Sequence, residues 1–276
     1  MVTEKRKKEL EDKIAKSKDV IKEAFSKFNS SDLAIAWTGG KDSTLTLWLV
    51  RQVCTEDNVS LPKAMTIDEG DSFKEIHDFL EKYSKEWNVD LEWCRNQDVI
   101  NAAGGVLGAD VEVAKLNKTN QSEIRERLEF PGEKFPFEAE SWIGNHLMKT
   151  VVFNDFLKRN KIKGMFMGIR WDEQPARKKD PYFIKKEADE YTSEHTRIQP
   201  ILHFTERDIW DTTLSYSIPH CPLYEQGYRS LGAASTSQKM SDIPAWEQDL
   251  ENTVERAGRR QDKEEAMERL RKLGYM

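Results

Sequence analysis

The sequence predicts an α/β fold with a mainly parallel sheet, and three observations predict it. Short apolar runs of strand length alternate with longer segments whose apolar residues recur every three or four positions. A Gly-Gly turn, Thr38-Gly39-Gly40-Lys41-Asp42-Ser43, stands between one such run and the helix that follows. The run Met165-Phe166-Met167-Gly168-Ile169 carries no polar side chain, as in a strand covered on both faces.

Taken in order, Glu4 to Phe28 predicts a helix, with Leu10, Ile14, Ile21, Phe25 and Phe28 on one stripe. Leu33 to Trp37 is the first strand, and a helix through Leu45, Leu47, Trp48 and Val50 follows the glycine turn. Ala64 to Ile67 is a second strand, ending in Asp68-Glu69-Gly70-Asp71. Ser72 to Trp87 is a helix with Phe73, Ile76, Phe79, Leu80 and Tyr83 on one side, and Val89 to Trp93 alternates as a third strand. Residues 96–140, with Gly104-Gly105, Gly108, Pro131-Gly132 and Pro136, read as an insertion made of loops. Trp142 to Arg159 is a helix, Met165 to Ile169 the fourth strand, Arg170 to His195 a charged loop and Ile198 to Leu202 a fifth strand. Thr205 caps a helix from Glu206. Residues 1–218 then form one domain, and 219–276 a loop-rich tail that covers the active site and closes on a charged helix, Asp262 to Leu273.

Composition narrows the function classes. Of 276 residues, 38% are hydrophobic, including 8 Trp and 12 Phe, enough for a sizeable core. The balance of 43 basic and 49 acidic residues, net −6, speaks against a general nucleic-acid or membrane-surface binder. No apolar stretch approaches the roughly 18 residues of a membrane span. The charged start MVTEKRKKELEDK lacks the apolar core of a signal peptide, so a cytoplasmic location is expected. Cys54, Cys94 and Cys221 lie far apart without metal-ligand spacing, which fits a reducing compartment and no bound iron–sulfur cluster.

The glycine turn carries the first chemical signal. Adjacent glycines let backbone approach a phosphate closely, and the following helix N-terminus offers unpaired N–H groups and a positive dipole end. Lys41 adds a charge, Thr38 and Ser43 add hydroxyls, and Asp42 can position a donor or a Mg²⁺-bound water. The turn lacks the spacing of a Walker A loop or a dinucleotide fingerprint. A second signal follows the fourth strand, where Arg170 and Arg177 in Gly168-Ile169-Arg170-Trp171-Asp172-Glu173-Gln174-Pro175-Ala176-Arg177 leave the carboxyl edge of the sheet. Two guanidiniums there can grip phosphate or sulfate in bidentate fashion, although Lys178, Lys179 and Asp180 also suit a solvated charged loop.

TGGKDS resembles the SGGxDS signature of the PP-loop nucleotide enzymes, and the whole chain is similar to their phosphoadenosine-phosphosulfate (PAPS) reductase family. GIRWDEQPAR resembles the GxRxDExxxR loop of the small subunit of two-subunit sulfate adenylyltransferases. His220 to Gly232 resembles a Pro-Leu-Tyr…Gly-Tyr-Ser-[LI]-Gly segment that FAD synthetases carry in very similar form. Glu255-Arg256-Ala257-Gly258-Arg259-Arg260-Gln261-Asp262 resembles the ERxGRxxD close of the same small subunits, where arginines could form a lid over a triphosphate or simply end a helix. The resemblance implies a doubly wound, adenine nucleotide alpha hydrolase-like sheet. It implies ATP with Mg²⁺ as cofactors, no protein-only metal site, and nucleotide contacts from Thr38, Gly39, Gly40, Lys41, Asp42, Ser43, Arg256 and Arg259. Lys41, Arg170 and Arg177 become the catalytic residues. The activity implied is adenylyl transfer from ATP to a small anionic acceptor, sulfate first and FMN as the alternative, with a GTPase subunit as partner in the sulfate case. A PAPS reductase would need a cysteine pair after Gly232 and a cysteine near the C-terminus, and this sequence has Ala233-Ala234-Ser235 and none beyond Cys221. A non-catalytic nucleotide-binding subunit is the remaining alternative.

Overall fold

The structure, a computed structural model, describes residues 3–138, 141–174 and 177–258. Helix α1 (Glu4–Lys27) starts at Thr3, whose side chain accepts from the Arg6 N–H, and buries Leu10, Ile14, Val20, Ile21 and Ala24. The sheet then winds through β1 (Leu33–Ala36), α2 (Lys41–Glu56), β2 (Lys63–Ile67), α3 (Lys74–Glu86) and β3 (Leu91–Cys94). An excursion follows, comprising α4 (Gln97–Ala102), β4 (Asp110–Glu112), α5 (Lys118–Ser122) and β5 (Lys134–Pro136). The chain returns through α6 (Trp142–Asn145), a π-helical stretch (His146–Val151) and α7 (Val152–Asn160). It finishes with β6 (Gly164–Phe166), β7 (Phe183–Lys186), β8 (His195–Ile198) and α8 (Glu206–Ser215).

The main sheet has six strands in the order β3-β2-β1-β6-β8-β7. All neighbours are parallel except β7, which runs antiparallel to β8 at the edge. Because side chains alternate across a strand, Leu33 and Ile35 face one layer and Ala34 the other. The first layer holds α1, α2, α3 and α8 and packs Ile35, Trp37, Leu47, Phe79 and Trp210 into one core. The second packs Ala34, Met65 and Met165 under Phe156 and Leu157 of α7. The order in which strands are added reverses between β1 and β6, which places the topological switch point beside the glycine turn.

Several expectations need correction. The 96–140 insertion is not only loops: its Val111, Ile124, Phe135 and Phe137 pack around the β4–β5 hairpin in a separate core that Leu147 of the following helix completes. The loop from Arg170 to His195 contains β7, and the fifth strand is His195–Ile198 rather than Ile198 to Leu202. The fourth strand is Gly164–Phe166, two positions shorter than its apolar run. The third ends at Cys94, and α3 begins at Lys74. From the tail, Cys221, Leu223, Tyr224, Ala245 and Leu250 enter the same core as Trp37. Arg259 and the proposed helix Asp262 to Leu273 lie outside the described residues. No described helix is long and apolar enough to cross a membrane.

Candidate phosphate-binding site

The site starts from the turn between β1 and α2. Gly39 has φ +77°, a left-handed conformation that favours glycine, and a Cβ there would sit 3.1 Å from Ile76. Gly40 is the N-cap of α2 with no side-chain cap bond. The turn is closed from inside: Ser43 Oγ accepts from the Thr38 N–H at 3.2 Å and donates to Gly40 O at 3.0 Å. Thr38 Oγ1 lies 3.2 Å from the same Ser43 oxygen, so both hydroxyls hold the turn. The Lys41 N–H donates to Tyr224 Oη at 3.0 Å, which ties the tail to the helix start.

The next layer comes from the strand beside β1. After β6 the chain passes Gly168 against the first turn of α2, where a Cβ would meet the Asp42 carbonyl carbon and the Ser43 nitrogen at 2.7 Å each. Only a glycine permits that backbone contact without a shift. Two residues later Arg170, 1% exposed, is bonded to Asp42, which lies 128 positions away in sequence. Its Nε donates to Asp172 at 2.8 Å and Nη2 to Glu255 at 2.5 Å. Asp172 in turn accepts the Glu206 N–H at 2.9 Å, locking the arginine loop to the start of α8.

Lys41, 3% exposed, points into the same cluster. Its Nζ lies 2.5 Å from Glu255, 3.2 Å from Asp42 and 3.9 Å from Glu206. Burial alone would lower its pKa, but the Asp42 and Glu255 carboxylates outweigh burial and hold the ammonium above its ordinary range. Arg170 is raised in the same way, with burial opposed by Asp42, Glu255 and Asp172. Burial works to raise Glu255, yet Lys41 and Arg170 bring it well below the usual carboxylate range. Burial dominates for Glu206 and raises it, although Arg229 Nη2 donates to it at 2.7 Å.

The sequence-predicted residues therefore fall in two groups. Thr38, Gly39, Gly40, Lys41, Asp42, Ser43 and Arg170 meet at one edge of the sheet. Arg177 stands further along the loop, bonded to Glu173, which also pairs with Arg256 at 3.3 Å. Sequence reasoning gave no part in this cluster to Glu206, Arg229 or Tyr224, and named Gly168, Asp172 and Glu255 only within motif strings. The signal for the carboxylates is electrostatic: two cations this deeply buried require counter-charges.

A phosphoadenosine phosphosulfate reductase domain model matches residues 32–239. The chain belongs to this family. Among curated relatives, a probable FAD synthase from Schizosaccharomyces pombe is 34% identical over 44% of this chain and 48% of its own length. Sulfate adenylyltransferase subunit 2 from Bacteroides thetaiotaomicron is 26% identical over 79% of this chain and 66% of that protein. The chain thus spans between about half and two-thirds of these relatives' lengths. Among solved structures, Candida glabrata FMN adenylyltransferase superposes with TM-score 0.65 at 19% identity, over 92% of this chain and 89% of that one. PAPS reductase from Candida auris gives 0.54 at 14% identity, over 86% and 98%. At those identities the likeness establishes the fold.

The three thiols sit in separate places, on α2, at the end of β3 and before the 3₁₀ turn Pro222–Tyr224. Burial pushes Cys54 up to about 11, Cys94 up to about 12 and Cys221 up to about 11.

Proposed function

We propose that this protein binds ATP with Mg²⁺ at the glycine turn and transfers the adenylyl group to a small oxyanion, with sulfate as the favoured acceptor. An acceptor oxygen attacks the α-phosphorus, the bond from that phosphorus to the bridging oxygen breaks, and pyrophosphate leaves. The observation that carries the reading is the convergence of Lys41, Asp42 and Arg170 at the start of α2, beyond the carboxyl ends of the neighbouring parallel strands β1 and β6. Phosphoryl-group chemistry needs positioning and charge neutralisation more than covalent catalysis. Lys41 and Arg170 supply the positive charge for the leaving pyrophosphate. Asp42 is the carboxylate placed to take Mg²⁺, which binds through one or two carboxylates together with substrate phosphates and needs no all-protein cage. Among the described residues no group of three or more His, Cys, Asp or Glu forms such a cage. Arg177, outside the Lys41 cluster, is assigned to the acceptor, and Arg256 and Arg259 to the nucleotide side.

The FAD synthase relative favours FMN as a second acceptor. The subunit numbering of the sulfate adenylyltransferase relatives supports a partner chain, and a GTPase subunit is the proposed one. A cytoplasmic location completes the reading. Pyrophosphate release from ATP and Mg²⁺, measured with sulfate, with FMN and with no acceptor, tests it. Sulfate-dependent release is expected, and FMN-dependent release alone would select the second acceptor. ATP binding without turnover, with or without a GTPase subunit, would leave a nucleotide-binding subunit.

A further inference from the structure

We propose that Glu255 is a built-in competitor for the polyphosphate, a carboxylate that holds the phosphate subsite closed until an incoming polyanion displaces it. The proposal rests on the reading of this cluster as the phosphate subsite. One Glu255 oxygen reaches Lys41 and the other Arg170, at 2.5 Å each, across 214 and 85 positions of sequence. These are the two cations assigned to the phosphates, and one carboxylate bridges both.

The charge count explains why the subsite is closed. Lys41, Arg170 and Arg229 face Asp42, Asp172, Glu206 and Glu255, so the carboxylates outnumber the cations by one. A triphosphate that entered with Glu255 in place would meet a net negative, buried cluster, where repulsion is screened far less than in water. The donors are committed too: the Arg170 fork is divided among Asp172, Asp42 and Glu255. Removing Glu255 frees one arm of that fork and the closest contact of Lys41 in a single step.

The segment is built so that it can leave. Arg229 staples the chain just before it, donating to Leu250 O at 3.2 Å, Asp249 O at 3.3 Å and Thr253 O at 3.2 Å while paired to Glu206. Val254 follows the staple and is 72% exposed, so its side chain buries little against the body of the protein. Beyond it, Glu255 is held by ion pairs to Lys41 and Arg170, and a polyanion competes for those two cations. Arg256 pairs with Glu173, which also holds Arg177. The same short turn (Glu255–Gly258) therefore engages the phosphate cations and the arginine loop together.

Calorimetric titration of the full chain with inorganic tripolyphosphate and with ATP tests this in wild type and Glu255→Gln. With the closed population removed, Glu255→Gln tightens tripolyphosphate by about tenfold or more. Its thermal midpoint falls without anion and recovers when tripolyphosphate is added. Should Glu255→Gln fail to fold, Glu255→Asp keeps the charge but withdraws it by one methylene, and a smaller tightening is expected. Equal or weaker tripolyphosphate binding in the variant that folds overturns the proposal. Equal ATP affinity in wild type and variant leaves the ATP reading standing and makes Glu255 a structural counter-ion. Tighter tripolyphosphate with no ATP binding in either protein keeps the competitor and removes the ATP reading.

Discussion

Arg170 shows how a single side chain can be both read and misread. Its place after an apolar run marked it as leaving the sheet edge, and its contact with Asp42 follows from the parallel pairing of β1 and β6. Its burial among three carboxylates was not legible, because two of them, Asp42 and Glu255, lie 128 and 85 positions away in the chain. Lysine at this position keeps the charge but cannot address three acceptors from a planar fork. Arg170→Lys is therefore expected to lower turnover by about 2–4 kcal/mol of transition-state stabilisation, with a smaller loss in ATP affinity. Steady-state kinetics alongside ATP titration checks this, and unchanged kcat would remove Arg170 from the reacting phosphate. Gly39 rather than Gly40 is the strained member of the pair, since an added Cβ at Gly40 comes no closer than 3.5 Å to any neighbour. Gly39→Ala should cost about 1–2 kcal/mol for the left-handed backbone alone, together with most ATP binding. Cys221 is buried with its thiol pushed up to about 11, too high to supply thiolate at neutral pH. Cys221→Ser is expected to leave turnover unchanged, and loss of a thiol-dependent activity in that variant would restore the reductase alternative.

At the level of elements, apolar periodicity located β1, α2, β2, α3, β3 and α8, and it failed where polar residues are buried. Strand β8 is His195-Thr196-Arg197-Ile198, and His195 and Arg197 are buried despite their polarity. The apolar stretch after it contains Pro200, which cannot donate to a sheet ladder, so the strand sits earlier than its hydrophobicity suggests. Strand β7 carries Lys185 and Lys186 on the sheet edge, where lysine discourages further pairing, and its charge made it read as loop. The cap of α8 was legible, and the structure adds its reciprocal half: the Thr205 side chain accepts from the Asp208 N–H, and Asp208 accepts from the Thr205 N–H. The junction between β6 and α2 was not, because the string that contains Gly168 gives no sign that it packs on the distant first turn of α2, at Asp42 and Ser43. An alanine there must push the first turn of α2 away, a kind of overpacking that costs about 1–3 kcal/mol. Gly168→Ala should accordingly lower the urea midpoint and weaken ATP binding together, and a crystal structure of the variant should show α2 displaced from the loop. Loss of stability with unaltered nucleotide affinity would mean that the contact serves the fold alone.

Across the whole molecule, charge is buried wherever the tail, α1 and α8 meet the sheet, and this makes stability depend on pH in a stated direction. His203 sits between α1 and the sheet, with Nε2 2.9 Å from Lys13 O and Nδ1 3.2 Å from Tyr182 Oη. Burial lowers it from the ordinary 6.5, more than its bond to Lys13 raises it, and Lys13 and Lys16 add repulsion. His195, buried beside Phe153, is lowered by burial in the same way, with Arg197 and Lys186 contributing. A histidine lowered in the folded state binds its proton first in the unfolded chain. Its contribution is therefore complete above the unfolded value of 6.5 and drains away as pH falls toward the folded value. Asp208 and Glu255, lowered by Lys13 and by Lys41 with Arg170 against the effect of burial, lose their contributions further down, below their unfolded values of 3.8 and 4.5. Glu206, raised by burial, acts with the opposite sign just above 4.5, so total stability alone does not isolate the histidines. The difference between two proteins does. His203→Asn removes one titrating group, so the slope of unfolding free energy against pH between 7 and 5 should become shallower than in wild type. Urea denaturation at half-unit pH steps measures both slopes, and parallel curves for the two proteins would mean that His203 titrates alike in the folded and unfolded chains.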